Sequence, residues 1–351
     1  MTGSAYLRII DENLDRLAEG LRFLEDTARM ILDDSVLTSE LKALRHTLIR
    51  SDLEFNLQLL ESRNSLSDVG ENLSVQGESP TQDIKLIVIA NARRAQEALR
   101  VLEDMAKLPE MTEKLDSDKF KSARFKLYSL EKDLVSRLLR KERASRVKGL
   151  YVIVDTQFLG SRDPLEAARR VIQAGVKIIQ LRDKNLDKNA LLQLAGEMQN
   201  LCKRNNVLFI MNDHLDIALA IEADGLHIGQ ADFPVAVARK LMPIGMLLGV
   251  SASTVEEAQS AEKLGADYLG VGAIFPTQSK DEIKVVGVER IAEIRAVTNL
   301  PLAAIGGISA ANIDSVINEG ADSACVISAV LGAPDISQAA RRFIEIIEAK
   351  K

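Results

Sequence analysis

Ile178-Ile179-Gln180-Leu181-Arg182-Asp183-Lys184 is a short apolar run that passes directly into charge. A run of this length bounded by polar residues reads as a strand buried on both faces. Similar runs recur at Leu150–Asp155, Val207–Met211, Gly225–Ile228, Leu247–Val250, Tyr268–Val271, Leu302–Ile305 and Ala324–Ile327. Helical periodicity fills most of the gaps, as in Pro164–Ala174, Leu191–Arg204, Val255–Leu264 and Ala310–Glu319. Eight β/α units in sequence imply an α/β fold, a (β/α)8 TIM barrel, over residues 148–351. A doubly wound open sheet is the alternative. No G-x-G-x-x-G follows the first strand, which disfavours a dinucleotide site.

In such a barrel the chemistry sits where the strands end, at their C-terminal side. Gln180, Arg182 and Lys184 alternate, so in extended chain they point one way, and two cations with an amide suit a pyrophosphate. The competing reading is a solvated charged loop. After the third strand come Asn212 and Asp213, and with the fourth come His227, Gln230 and Asp232. Asp213 and Asp232 on neighbouring strand ends can share one Mg2+, which prefers oxygen ligands. Either carboxylate could instead be a helix N-cap. His227 lies inside a strand and reads as a packed, hydrogen-bonded side chain rather than a metal ligand. Ser251 follows the fifth strand, and Thr277, Gln278, Ser279 and Lys280 follow the sixth. That loop can hold a phosphate or be a simple polar turn. Gly306-Gly307 follows the seventh strand and Ile327-Ser328 ends the eighth, in the loops where phosphate commonly binds in these barrels.

Composition limits the partners. The 351-residue chain has a net charge of −6 and no tryptophan, which disfavours nucleic acid and single-strand stacking. No apolar run is long enough for a membrane span, and the first ten residues lack a signal-peptide core. Two distant cysteines, Cys202 and Cys325, fit a reduced, cytoplasmic protein.

Before residue 148 the pattern is helical, giving an expected all-α domain over residues 1–147. Asn13-x-x-Arg16-x-x-Glu19-x-x-Arg22-x-x-Glu25-Asp26 repeats as Asn91-x-x-Arg94-x-x-Glu97-x-x-Arg100-x-x-Glu103-Asp104, offset by 78 positions. A repeat of that spacing implies a duplicated helical unit. Further helices are expected from about Thr38 to Leu60 and about Lys114 to Leu139. Residues 140–146 read as a helix end and linker. The repeated charges either form surface ion pairs or line a pseudo-twofold pocket of paired Arg and Glu.

The ordered series QLRDK, ND, DGLHIGQ-x-D, GVS, DYLGVGAIFPTQSK, AIGGI and VIS over roughly Lys148 to Ile347 resembles the thiamine phosphate synthase family. That resemblance implies a Mg2+-dependent transferase of thiamine biosynthesis, which condenses a hydroxymethylpyrimidine pyrophosphate with a thiazole phosphate, or its carboxylate, and releases pyrophosphate. By resemblance, Gln180, Arg182, Lys184, Asn212, Ser251 and Lys280 hold the pyrimidine pyrophosphate, with Arg182, Lys184, Lys280 and Ser251 in catalytic roles. Asp213 and Asp232 bind Mg2+. Thr277, Gln278, Ser279, Gly307, Ile327 and Ser328 hold the thiazole phosphate. A thiazole tautomerase-like barrel is the alternative. The N-terminal part is similar to helical domains fused to such synthases and linked to phosphorylation of hydroxymethylpyrimidine phosphate. No G-x-x-x-x-G-K-[ST] loop is present, so the implied kinase role needs an unusual nucleotide site, with Arg22, Glu25, Arg94, Glu97, Arg100 and Asp68 as candidates; a dimerisation or docking module is the alternative. A homo-oligomer is among the states left open.

Overall fold

The computed structural model describes residues 3–49, 52–63, 83–277 and 284–350. The chain divides by internal contacts into a unit ending at Leu139 and a unit beginning at Arg140.

The N-terminal unit is helical: α1 Gly3–Asp26, α2 Ser35–Leu48, α3 Leu53–Ser62, α4 Ile84–Met105 and α5 Ser117–Ala144, with a π-helical turn at Thr27–Ile31 after α1. The two repeat frames lie on α1 and α4, which pack against each other. Leu17, Leu21, Leu24, Leu99 and Leu102 are fully buried between them and their neighbours, and each such burial stabilises by about 1.5–3 kcal/mol. The single helix expected from Thr38 to Leu60 is instead two. The chain turns extended at Ile49, and the Asp52 side chain accepts from the N–H groups of Glu54 and Phe55, starting α3 afresh. The helix expected from Lys114 begins at Ser117 and continues to Ala144.

The repeat uses its charges unequally. Asn13 and Asn91 donate to the carbonyls of Ile9 and Ile87, 2.8 and 2.9 Å away, an identical contact in both halves. Glu25 and Glu103 are buried. Arg45 on α2 reaches Glu25 at 2.9 Å, and Arg124 on α5 reaches Glu103 at 2.8 Å. Arg22 and Arg100 pair with the same two glutamates from the exposed side. Arg16 and Arg94 stay on the surface. Asp68 lies outside the described residues.

The second unit is a closed barrel of eight parallel strands: β1 Gly149–Asp155, β2 Ile178–Arg182, β3 Leu208–Asn212, β4 Gly225–Ile228, β5 Leu247–Ala252, β6 Tyr268–Val271, β7 Leu302–Ile305 and β8 Ser323–Val326. Closure is made by β1 pairing β8, with Tyr151 opposite Cys325. Side chains alternate. Leu150, Val152 and Val154 face the surrounding helices, whereas Tyr151 and Ile153 point into the barrel with Ile178, Leu208, Ile210, Leu247, Tyr268 and Cys325.

Residues 140–147 are not a free linker. Ala144 and Val147 join the interior cluster of the barrel. Arg140 donates to Asp267 at 2.8 Å, Arg143 to the Gly245 carbonyl at 2.7 Å, and Arg146 to the Asn206 carbonyl at 2.9 Å. Spacing of three places these arginines along one side of the helix end and the turn after it. Asp267 also accepts from Arg239 and from the Leu248 N–H. Burial holds its carboxyl above the ordinary value even so.

Candidate active site

All strands are parallel, so their C-terminal ends open on one mouth. Arg182 ends β2, Asn212 ends β3, and Ser251 is one residue short of the end of β5. Lys184, Asp213, Gly307, Ile327 and Ser328 sit just beyond strand ends, and Asp232 and Thr277 lie further along the loops after β4 and β6. Gln278, Ser279 and Lys280 lie outside the described residues.

Several of the polar groups are tied to one another. Lys184 Nζ donates to Asp213 Oδ2 at 2.5 Å. Arg182 pairs with the buried carboxylate of Asp155 at the end of β1, its register partner. Asp183 is buried; it accepts from Thr156 and from the N–H groups of Asn185 and Leu186, shaping the loop that carries Lys184. Gln180 behaves differently from its neighbours. Its amide turns into the barrel and donates to Tyr151 at 2.8 Å. Neither Asp155 nor Asp183 stood out in the sequence, although each follows an apolar run.

Asp213 and Asp232 are not helix caps. His214 and Pro234 occupy the cap positions of the helices that follow, and neither helix has a side-chain cap bond. Asp213 has a left-handed backbone, φ 59°, and its N–H donates to the His227 carbonyl at 2.8 Å, which ties it to β4. Asp232 Oδ2 accepts from the Gly229 N–H at 2.7 Å. Two hard oxygen donors on adjacent strand ends fit Mg2+, which needs only one or two protein carboxylates when substrate phosphates and water complete its shell. Among the described residues no group of three or more His, Cys, Asp or Glu gathers.

The loops after β6 and β7 run side by side. Ile274 and Phe275 donate to the carbonyls of Ile305 and Gly306 at 2.9 and 3.0 Å. Gly307 has φ +63°, and a Cβ there would lie 2.4 Å from the Pro276 carbonyl oxygen. Only glycine meets both conditions, and the contact brings the loop carrying Thr277 against the glycine turn. Asn312 clasps that turn, donating to the Gly307 carbonyl and accepting from the Ser309 N–H.

His227 is hydrogen-bonded on both ring nitrogens: Nδ1 to Tyr268 Oη and Nε2 to Ser251 Oγ, each at 3.1 Å. Tyr268 in turn meets Tyr151 at 3.2 Å. Burial pushes both phenols above the ordinary tyrosine value.

Comparison with known proteins agrees with this geometry. Residues 150–330 match the thiamine monophosphate synthase family, and residues 8–133 match the ThiD2 family. The thiamine-phosphate synthase of Thermosynechococcus vestitus is 36% identical over 344 residues, covering 97% of this chain and 95% of that protein. That of Moorella thermoacetica is 49% identical over 199 residues, covering 56% of this chain and 95% of that protein. A solved thiamine phosphate pyrophosphorylase from Pyrococcus furiosus superimposes with a TM-score of 0.54 at 36% identity, covering 59% of this chain and 98% of that one. With both halves accounted for and a relative aligned along nearly its full length, the chain belongs to the thiamine monophosphate synthase family and carries a ThiD2-family domain at its N-terminus.

Proposed function

We propose that the barrel condenses a hydroxymethylpyrimidine pyrophosphate with a thiazole phosphate to give thiamine phosphate and pyrophosphate. The observation that carries this reading is the mouth itself, where Arg182 at the end of β2 and Lys184, Asp213 and Asp232 beyond β2, β3 and β4 share a barrel end with the glycine turn after β7. Arg182, Lys184 and Lys280 bind the pyrophosphate and balance its growing negative charge as the C–O bond to the pyrimidine methylene breaks. Asn212, Ser251 and Gln180 orient the pyrimidine end. Thr277, Gln278, Ser279, Gly307, Ile327 and Ser328 anchor the thiazole phosphate, so that its neutral ring nitrogen faces the methylene carbon. A neutral nitrogen attacks without losing a proton, so the site needs no general base.

Asp213 and Asp232 would hold Mg2+, which supplies further charge neutralisation on the leaving group when bound. Lys184 pairs with Asp213, so its ammonium lies beside one of the two candidate Mg2+ ligands. We place the reaction in the cytoplasm, where thiols such as Cys202 and Cys325 stay reduced.

Thiamine phosphate formation by the intact chain tests the reading. Lys280→Ala should lower turnover by about 100-fold or more, and Asp213→Ala should raise the Mg2+ concentration needed for half-maximal rate. Near-normal rates and Mg2+ response in both variants overturn the assignment. For the N-terminal domain we propose that it supplies the pyrimidine pyrophosphate by phosphorylating the monophosphate. The intact chain given ATP, the pyrimidine monophosphate and thiazole phosphate should then form thiamine phosphate. Absence of product, with activity on the pyrophosphate intact, leaves a docking module.

A further inference from the structure

Inside the barrel an unbroken series of side chains runs from Gln180 on β2 through Tyr151 on β1, Tyr268 on β6 and His227 on β4 to Ser251 on β5. The four steps are 2.8, 3.2, 3.1 and 3.1 Å. Its direction follows from donor chemistry. The Gln180 amide nitrogen only donates, so the Tyr151 oxygen accepts there and its hydrogen goes to Tyr268. Tyr268 then gives its hydrogen to His227 Nδ1. Both phenols keep their protons, because burial disfavours the phenolate. With Nδ1 an acceptor, neutral His227 carries its hydrogen on Nε2 and donates to Ser251 Oγ.

We infer that Tyr268 and His227 are positioning residues that hold Ser251 as a hydrogen-bond donor to the substrate. An ionised pyrophosphate oxygen only accepts, so Ser251 is useful to it only when its hydroxyl hydrogen points away from His227. An imidazole with a bare Nε2 would compete for that hydrogen. The chain removes the competitor by occupying Nδ1 from the other side. Register places Gly249 between His227 and Tyr268 on the neighbouring strands. A Cβ at 249 would lie 2.4 Å from Tyr268 Oη and 2.5 Å from His227 Nδ1. The missing side chain is therefore the opening through which the two residues meet. The backbone of Ser251 is fixed as well, since its carbonyl accepts from Gln230.

This inference rests on Ser251 as a substrate contact, and two measurements test it. The first needs no turnover: long-range 1H–15N spectra of the intact labelled chain at about pH 8, where an ordinary imidazole is neutral, with His227 assigned by its loss in His227→Gln. The expected pattern has the hydrogen on Nε2 and a bare Nδ1. A hydrogen on Nδ1 means that the chain runs the other way and overturns the inference. The second is a double-mutant cycle on kcat for thiamine phosphate formation. Tyr268→Phe should lower kcat on the order of ten-fold, the scale at which supporting groups act. It should change kcat by less than about two-fold once Ser251→Ala is present, because the group it serves is gone. Equal losses in both backgrounds overturn the inference. If Tyr268→Phe does not fold, the tautomer decides. A wild-type chain that forms no thiamine phosphate sinks the proposed reaction while leaving the tautomer measurement standing.

Discussion

Gly249→Ala adds one methyl group on the inner wall of the barrel. The added carbon would lie 2.1 Å from Tyr268 Cζ, 2.4 Å from its oxygen and 2.5 Å from His227 Nδ1. Ordinary contact begins near 3.4 Å, so the tyrosine ring must retreat by about an ångström or more. The ring is fully buried among packed strands, and overpacking of this kind costs about 1–3 kcal/mol. The same displacement breaks the 3.2 and 3.1 Å bonds to Tyr151 and His227, adding about 1 kcal/mol for each. The expected destabilisation is about 3–5 kcal/mol, which for a unit of this size lowers Tm by about 6–20 °C. Far-UV circular dichroism on heating the intact chain measures it. Surviving folded protein should also show reduced kcat, since Ser251 loses its fixed partner. A Tm within about two degrees of wild type would mean that the ring moves freely, and the tight-gap reasoning would be wrong.

Arg140→Met removes one of two arginines from the buried Asp267, a loss of about 2 kcal/mol seen as a Tm drop of about 4–8 °C. Asp267 has its folded value raised above 3.8 by burial. Its ionisation therefore opposes folding as pH rises through that window, so the Arg140→Met deficit in urea titrations should be larger near neutrality than in mild acid; an equal deficit contradicts the clamp. Arg124 holds Glu103 below its ordinary 4.5. That stabilisation is complete above the ordinary value and is lost as pH falls toward the lower folded value, so Glu103→Gln should flatten the acid limb of the urea midpoint. Burial pushes Cys202 up to about 12 and Cys325 higher still. A thiolate-specific reagent at mildly alkaline pH should label neither in the native chain and both after denaturation.

Much of the barrel was legible because buried parallel strands write themselves as apolar runs, and because the candidate site residues fall where those runs stop. Gly225–Ile228, Tyr268–Val271 and Leu302–Ile305 are bounded in the structure as the sequence suggests. Other features were hidden for physical reasons. Tyr151, His227 and Tyr268 are distant in sequence, and only barrel closure brings their polar tips within hydrogen-bond reach. Gly249 matters through an absent side chain, which no polar pattern announces. Asp155 and Asp183 read as ordinary strand-end and loop residues until Arg182 and Thr156 are seen to bind them. In the helical unit the repeat was plain, but not the burial of Glu25 and Glu103, which depends on Arg45 and Arg124 arriving from other helices. The new start of α3 depends on local capping by Asp52, which outweighs the apolar periodicity running through Thr38 to Leu60.

The anchoring of residues 140–147 has a practical consequence for anyone dividing this chain. A barrel started at Lys148 would lose Ala144 and Val147 from its interior cluster, together with the three arginines that grip loops leading into β3, β5 and β6. Apolar side chains would then meet water at one end, and Asp267 would keep a single arginine. The cut that respects the packing falls before Arg140, within α5, so an intact barrel carries the last turns of a helix whose beginning belongs to the other unit.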